Sequence, residues 1–406
     1  MTVGALPAVF SSEFMVDPHG RIAQLRREDP VHFADDMALW FVTRHEDVKR
    51  LFADGEIVTS DRRAWEFYEA PAEGTFMRWF ADNNLLALER TDHRRVRRLV
   101  NAAFTPRAIA RMNTQIAEVV DRFATPLAGR TGMVDVMAEF TEPIPNTVIS
   151  RITGIPPSVG DEVRFRRLAR PVISNAMPFA PADTAQQAEQ AMVELTAWVR
   201  QLAEERRLVP QDDLITDLIT THDMGDQMTS DEIVTLVAGL IVAGSETTAL
   251  GGMIAIMTLL DHPDVFEELR ADRSLIPQAV LEIIRFGMSG PGALPRYAIR
   301  DFDLRGKTIR KGQMVMLSFG GANRDPSAFD DPNRLDIRRD QSNLLSFGYG
   351  PHYCLGVHLA KAELSAIVNA VCDFLPIDAQ IRPELIEFSP IGMFPRPLTL
   401  PIHFRD

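Results

Sequence analysis

The clearest chemical potential in the chain lies in the run Phe347-Gly348-Tyr349-Gly350-Pro351-His352-Tyr353-Cys354-Leu355-Gly356. Gly348 and Gly350 open backbone angles closed to other residues, so the chain can turn tightly ahead of the cysteine. The apolar stretch from Leu355 to Phe374 reads as a helix, which puts Cys354 at its N-terminus. Unpaired backbone N–H groups and the positive end of the helix dipole favour thiolate over thiol there, and the thiolate is the form that binds iron. Cys372, between Val371 and Phe374, has no such surroundings and reads as a small buried apolar residue.

A second cluster interrupts an apolar stretch: Ala243-Gly244-Ser245-Glu246-Thr247-Thr248. Burying a carboxylate and hydroxyls is costly unless they are paired or used. An acid beside an alcohol can pass protons into a dry site. Gly244 and the hydroxyls, which compete for backbone carbonyls, predict a local distortion of the helix. Glu282 and Arg285 form an i,i+3 pair, a weak signal alone. From Arg90 to Arg111 there are seven arginines against one acid, Asp92. His93 and Arg97, at i,i+4, share one helix face, while Arg94, Arg95 and Arg98 are expected to project outward.

These groups need rigid elements to hold them, and the periodicity is mainly helical. Amphipathic helices are expected over 92–103, 116–127, 188–205, 275–286 and 355–374. Thr229 and Glu232 form a capping box opening a helix that ends at Leu260, before Asp261-His262-Pro263. At 1.5 Å per residue it is roughly 47 Å long and must cross the body of the protein. Strands are few and short: 31–33, 40–42, 308–309, 315–318 and 398–404. The fold class is mostly α with small β-sheets, read as a single large domain over residues 1–406 around a long central helix.

Composition narrows the function. With 406 residues, 43 Lys+Arg and 56 Asp+Glu, the net charge is −13, which argues against broad nucleic-acid binding. Two cysteines cannot build a disulfide framework or a four-thiolate metal site. The N-terminus MTVGALPAVFSSEF lacks the basic start and long apolar run of a signal peptide. The apolar stretch 233–260 carries Glu246, Thr and Gly residues, too polar for a lipid span. A cytoplasmic protein without membrane attachment is expected.

The cysteine run strongly resembles the haem-thiolate loop of the cytochrome P450 family, Phe-x-x-Gly-x-x-x-Cys-x-Gly. The resemblance implies the P450 fold, haem b as cofactor and Cys354 as the axial iron ligand. It places Phe347 and Gly348 against the haem and His352 on a propionate. The run at 243–248 resembles the family's (Ala/Gly)-Gly-x-(Asp/Glu)-Thr motif. Glu246 and Thr247, with Thr248 adjacent, then supply protons for dioxygen cleavage, and Ala243 and Val242 face the distal haem pocket. His93, Arg97 and Arg296 match propionate-binding positions. Leu344 stands where many bacterial members carry a His, so one contact is lost or supplied elsewhere. Glu282 and Arg285 resemble the family's structural Glu-x-x-Arg, completed by Arg339 or its neighbour Arg338.

The implied activity is monooxygenation: one atom of O2 is inserted into an apolar small molecule, by hydroxylation or epoxidation. Steroid, terpenoid, macrolide-type and fatty-acyl substrates fit a lining of Phe76, Trp79, Ile173, Met177, Phe179, Gly239, Val242, Leu294, Met393 and Phe394. No dinucleotide-binding fingerprint is present, so electrons must come from a partner. The outward arginines point to an acidic ferredoxin with its NAD(P)H reductase, serving a monomeric enzyme. A peroxide-driven member would lack the acid–alcohol pair. The alternative of a different class is a haem-thiolate binding or sensor protein without turnover.

Overall fold

The computed structural model describes residues 17–155, 163–165, 167–169, 171–172, 182–223, 228–288, 292–388 and 397–405, with positions 9, 11 and 14. Along the chain run α1 (Pro18–Glu28), β1 (Val31–Ala34), β2 (Leu39–Val42), α2 (His45–Ala53), β3 (Val58–Thr59), α3 (Phe76–Asn83), α4 (Arg90–Asn101) and α5 (Pro106–Ala124). Then come β4 (Gly132–Asp135), α6 (Pro143–Thr153), α7 (Ala182–Leu208), α8 (Leu214–Asp223), α9 (Ser230–Asp261), α10 (Pro263–Ala271) and α11 (Ile276–Gly287). The chain closes with β5 (Ala293–Ala298), β6 (Phe302–Leu304), β7 (Lys307–Ile309), β8 (Met314–Ser318), α12 (Phe319–Ala322), α13 (Val357–Phe374), β9 (Gln380–Ile381) and β10 (Pro401–Phe404).

Local chemistry sets most helix ends. At α9 the Thr229 hydroxyl accepts from Glu232 N at 3.1 Å, and Glu232 Oε2 accepts from Thr229 N at 2.7 Å, so the expected capping box is formed. Thr105 accepts from Ala108 N at 3.2 Å, and Pro106 takes the first helical position, where its missing N–H costs nothing. This dipeptide therefore starts α5, ten residues ahead of the expected Ile116. The last helix begins at Val357 behind the N-cap Gly356, not at Leu355. The last strand is shorter than expected and starts at Pro401.

The local distortion expected near Gly244 does not interrupt the helix, and α9 runs continuously for 32 residues. Ser245 donates to Ile241 O at 2.9 Å and Thr247 to Ala243 O at 2.8 Å. The hydroxyls satisfy themselves on the preceding turn without displacing its backbone bonds. This helix is long and apolar enough to cross a membrane by length and composition, yet 59% of that window is buried within the protein.

The chain divides into two compact units, each gathered from three stretches: 1–70, 86–91 and 281–354, and 71–85, 92–280 and 355–406. The first holds a five-stranded sheet in the order β1-β2-β8-β5-β3, with β2 and β8 parallel and the other neighbours antiparallel. Its core packs Val31, Val42, Leu51, Phe52, Val315, Leu317 and Leu345. Strand β5, which contains Pro295, was not among the expected strands. Proline is tolerated there because β3 pairs only with Tyr297 and Ala298, leaving that side of β5 open at Pro295. In the second unit α9 packs against α6, α7 and α13, and α13 packs against α5. Gly252 permits a close approach within it. A Cβ there would meet Thr141 Cγ2 at 3.2 Å and Ile367 Cδ1 of α13 at 3.5 Å.

Candidate active site

The cysteine loop belongs to the first unit, and its turn is built from backbone hydrogen bonds. Gly348 N donates to Leu345 O at 2.9 Å, Tyr353 N to Gly350 O at 3.0 Å, and Cys354 N to Phe347 O at 2.9 Å. Gly348 and Gly350 have φ of +72° and +75°, angles that other residues rarely adopt. Gly350 also lies against α2, where a Cβ would come within 2.9 Å of Ala53 Cα. Cys354 is partly exposed and outside any disulfide. Cys372 is buried in α13, and burial pushes its thiol up, as expected for a core residue.

A polar scaffold fixes this loop. Leu345 N donates to Asn323 Oδ1 at 2.8 Å, and Asn323 Nδ2 donates to Ser346 Oγ at 2.8 Å, immediately before Phe347. Asp325 accepts from His45 N at 2.9 Å, and His45 Nε2 donates to Asn343 O at 2.8 Å. The Glu282–Arg285 pair is fully buried, with contacts of 2.6 and 2.8 Å. Arg339, not Arg338, joins it at 3.2 Å, while Asp336 N and Gln341 Nε2 donate to the same carboxylate at 2.9 and 2.8 Å. Burial alone would raise the Glu282 carboxyl, but these donors outweigh it and hold it below the usual range. Removing one partner of such a pair typically costs about 3–5 kcal/mol, because the other charge stays buried and unpaired. The network therefore supports the loop and performs no chemistry itself.

Arg296, on β5, is 7% exposed. Its guanidinium donates to Pro295 O at 2.9 Å and lies 5.1 Å from the Phe52 ring. Among the described residues no carboxylate lies within ion-pair distance. Burial brings its pKa down to about 10, with the Glu89 charge acting in the opposite sense. His352 Nε2 lies 3.1 Å from Ser60 Oγ and 3.5 Å from Glu89 Oε2. Glu89, absent from the sequence reading, also accepts from Thr59 Oγ1 at 2.7 Å and from Ser60 N at 2.8 Å. Burial would raise this carboxyl too, yet bonds from His352, Thr59 and Ser60 hold it far below the ordinary range. No sequence signal marks Glu89, since its partners are 29 or more residues away.

The second unit carries the remaining candidates. On α4, His93 is buried and Arg97 donates to Asn101 Oδ1 at 3.1 Å. Arg94 and Arg98 are exposed. Arg95 does not project outward as expected. It pairs with Glu232, the capping residue of α9, because that carboxylate is presented within reach of α4. On α9, Thr248 is buried, Glu246 and Gly239 are half-buried, and Ala243 and Thr247 are exposed. Phe76 and Trp79 lie half-buried on α3, and Leu294 is exposed on β5 of the first unit. Ile173, Met177, Phe179, Met393 and Phe394 lie outside the described residues, as does the Val242 side chain.

The donor set tests what metal group could bind. Among the described residues no cluster of three or more His, Cys, Asp or Glu could cage a bare ion. A metal held by the Cys354 thiolate must therefore bring its other ligands with it. A buried arginine lacking a carboxylate suits a group that also brings acids. Haem, with four ring nitrogens and two propionates, meets both requirements, so the chemistry defines a haem-thiolate protein.

Known proteins agree. The Cytochrome P450 family model matches residues 34–373. The vitamin D(3) 25-hydroxylase of Pseudonocardia autotrophica is 34% identical over 365 residues, 87% of this chain and 85% of that protein. The mycinamicin IV hydroxylase/epoxidase of Micromonospora griseorubida is 32% identical over 390 residues, 94% of each. The crystal structure of CalO2 superposes with a TM-score of 0.88 at 32% identity, covering 97% of this chain and 98% of that one. The chain belongs to the cytochrome P450 family. It has the P450 fold and is a monooxygenase, an oxidoreductase that uses haem b and O2 on a small molecule.

Proposed function

We propose that this enzyme hydroxylates or epoxidises an apolar molecule of the steroid, terpenoid, macrolide-type or fatty-acyl class, drawing electrons from a separate acidic ferredoxin and its NAD(P)H reductase. The carrying observation is the lining. Phe76, Met77, Trp79 and Phe80 crowd one short helix, and all stay half-buried, apolar surface left for an apolar ligand. The names of the relatives point the same way, one a vitamin D(3) hydroxylase and one a mycinamicin hydroxylase/epoxidase. A cytoplasmic monomer is part of this reading.

The Cys354 thiolate would hold haem iron, with Arg296 and His352 of the first unit and His93 and Arg97 of the second as candidates for its propionates, and Phe347, Gly348 and Ala243 as candidates for its ring; the group would supply the activation of O2. The chain's own task includes the protons. The Thr247 hydroxyl hydrogen is committed to Ala243 O at 2.8 Å, which leaves its oxygen lone pairs to accept. Such an oxygen can hold a water or a proton donor in place, and Glu246, half-buried one residue before, can resupply it from solvent. Thr247→Ala should keep haem binding and NADH consumption with a surrogate ferredoxin and reductase. It should divert most of the reducing equivalents from product to peroxide. Equal coupling in wild type and variant would remove Thr247 from proton delivery.

A further inference from the structure

Helix α3 is a short apolar element that buries none of its eight residues. Packing alone does not fix such a helix. Its N-terminus shows what does. The first backbone N–H groups of any helix lack intrahelical partners. In α3, Thr75 serves the third, accepting from Arg78 N at 3.2 Å. The first and second, Phe76 N and Met77 N, both donate to the Glu189 carboxylate, each at 2.8 Å. Glu189 lies on α7, 113 residues along the chain from Phe76. One carboxylate thus spans two N–H groups at the positive end of a helix dipole, through charge-assisted bonds. A second tie joins the same helices, with the Arg200 guanidinium of α7 5.9 Å from the Trp79 ring. α3 also packs against α9, the helix carrying Glu246 and Thr247.

We propose that Glu189 is a positioning and specificity-determining residue: its carboxylate latches α3 to α7, setting where Phe76 and Trp79 stand and how large a molecule passes them. The N-cap Thr75 serves Arg78 N from within the same segment and ties α3 to no other helix. Supplying the acceptor from a different helix couples the order of α3 to the position of α7. Releasing the carboxylate frees both N–H groups to water and lets α3 move with its aromatic side chains. The proposal rests on the reading of Phe76 and Trp79 as lining for the substrate.

The test uses the haem-loaded enzyme and two iron-binding probes, imidazole and 4-phenylimidazole, followed by the Soret shift in stopped flow. In Glu189→Ala, association and dissociation of 4-phenylimidazole should both accelerate about tenfold, the size expected for losing a charge-assisted bond. Imidazole, small enough to pass a closed α3, should keep wild-type rates. Glu189→Gln, which retains one acceptor oxygen, should fall between, and it replaces the alanine variant if that protein loads haem poorly. Wild-type rates for 4-phenylimidazole in both variants would overturn the latch. Trp79→Ala identifies which part has failed. If it alters 4-phenylimidazole binding while the Glu189 variants do not, α3 lines the path and is held by something else. If neither alters it, the lining reading falls and the latch with it.

Discussion

Arg296 is a cation to which the protein offers one neighbouring carbonyl and the face of Phe52. Burial lowers its pKa to about 10, so it remains charged at neutral pH and favours any carboxylate brought to it. Replacing it with Gln keeps much of the shape and removes the charge. A hydrogen bond to a charged group is worth about 1.5–3 kcal/mol, which corresponds to roughly 10- to 100-fold faster haem loss. Transfer of haem to excess apomyoglobin measures this directly, and unchanged transfer would mean that Arg296 holds no propionate. At this scale the sequence was most legible. The glycines ahead of Cys354 and the i,i+3 contact between Glu282 and Arg285 act between near neighbours, whereas Asp336, Arg339 and Gln341, which complete that pair, lie more than 50 residues on. Glu89 and Glu189 were invisible because an isolated glutamate carries no mark of the distant backbone N–H or hydroxyl it will serve.

Elements were legible where their ends carry caps. The Thr229–Glu232 box placed the start of α9 correctly, whereas the Thr105-Pro106 start of α5 was missed and the helix was expected only from Ile116. Inside α13, Glu363 shows a burial that no pattern announces. Its Oε2 is enclosed without a hydrogen-bond partner, and burial raises its pKa to about 8. The folded protein therefore holds this proton over a range in which the unfolded chain, with an ordinary value of 4.5, has released it. The stability this contributes is fully present below pH 4.5 and is lost as pH rises through about 8. Glu363→Gln cannot ionise, so its melting temperature should gain on the wild type from pH 5 to about pH 8 and level off above that. Parallel melting curves across that range would show that Glu363 is not a buried titrating acid.

For the whole molecule the charge of −13 hides a local exception. Arg94 and Arg98 are exposed on α4, while Arg95 is engaged by Glu232 and is removed from any docking role. Reversing Arg94 and Arg98 to Glu should slow reduction by an acidic ferredoxin at least about tenfold at low salt, with the difference shrinking as screening rises. Reversing Arg382 and Arg405 changes net charge equally and serves as the control. Equal slowing by both pairs would mean that overall charge, not this face, governs the encounter. The sequence by itself determined the glycine turn ahead of Cys354, the capping box that opens α9 and the mainly helical character of the chain. Each depends on residue type and spacing over one to a few turns, where steric limits, caps and helical period act locally. Tertiary structure alone decided that Pro295 sits within a sheet, that Arg95 faces Glu232, and that Glu89 and Glu189 serve distant groups. Each compact unit is gathered from three separate stretches, so these contacts join residues far apart in sequence. Their energy comes from desolvation and pairing that exist only once the chain has folded.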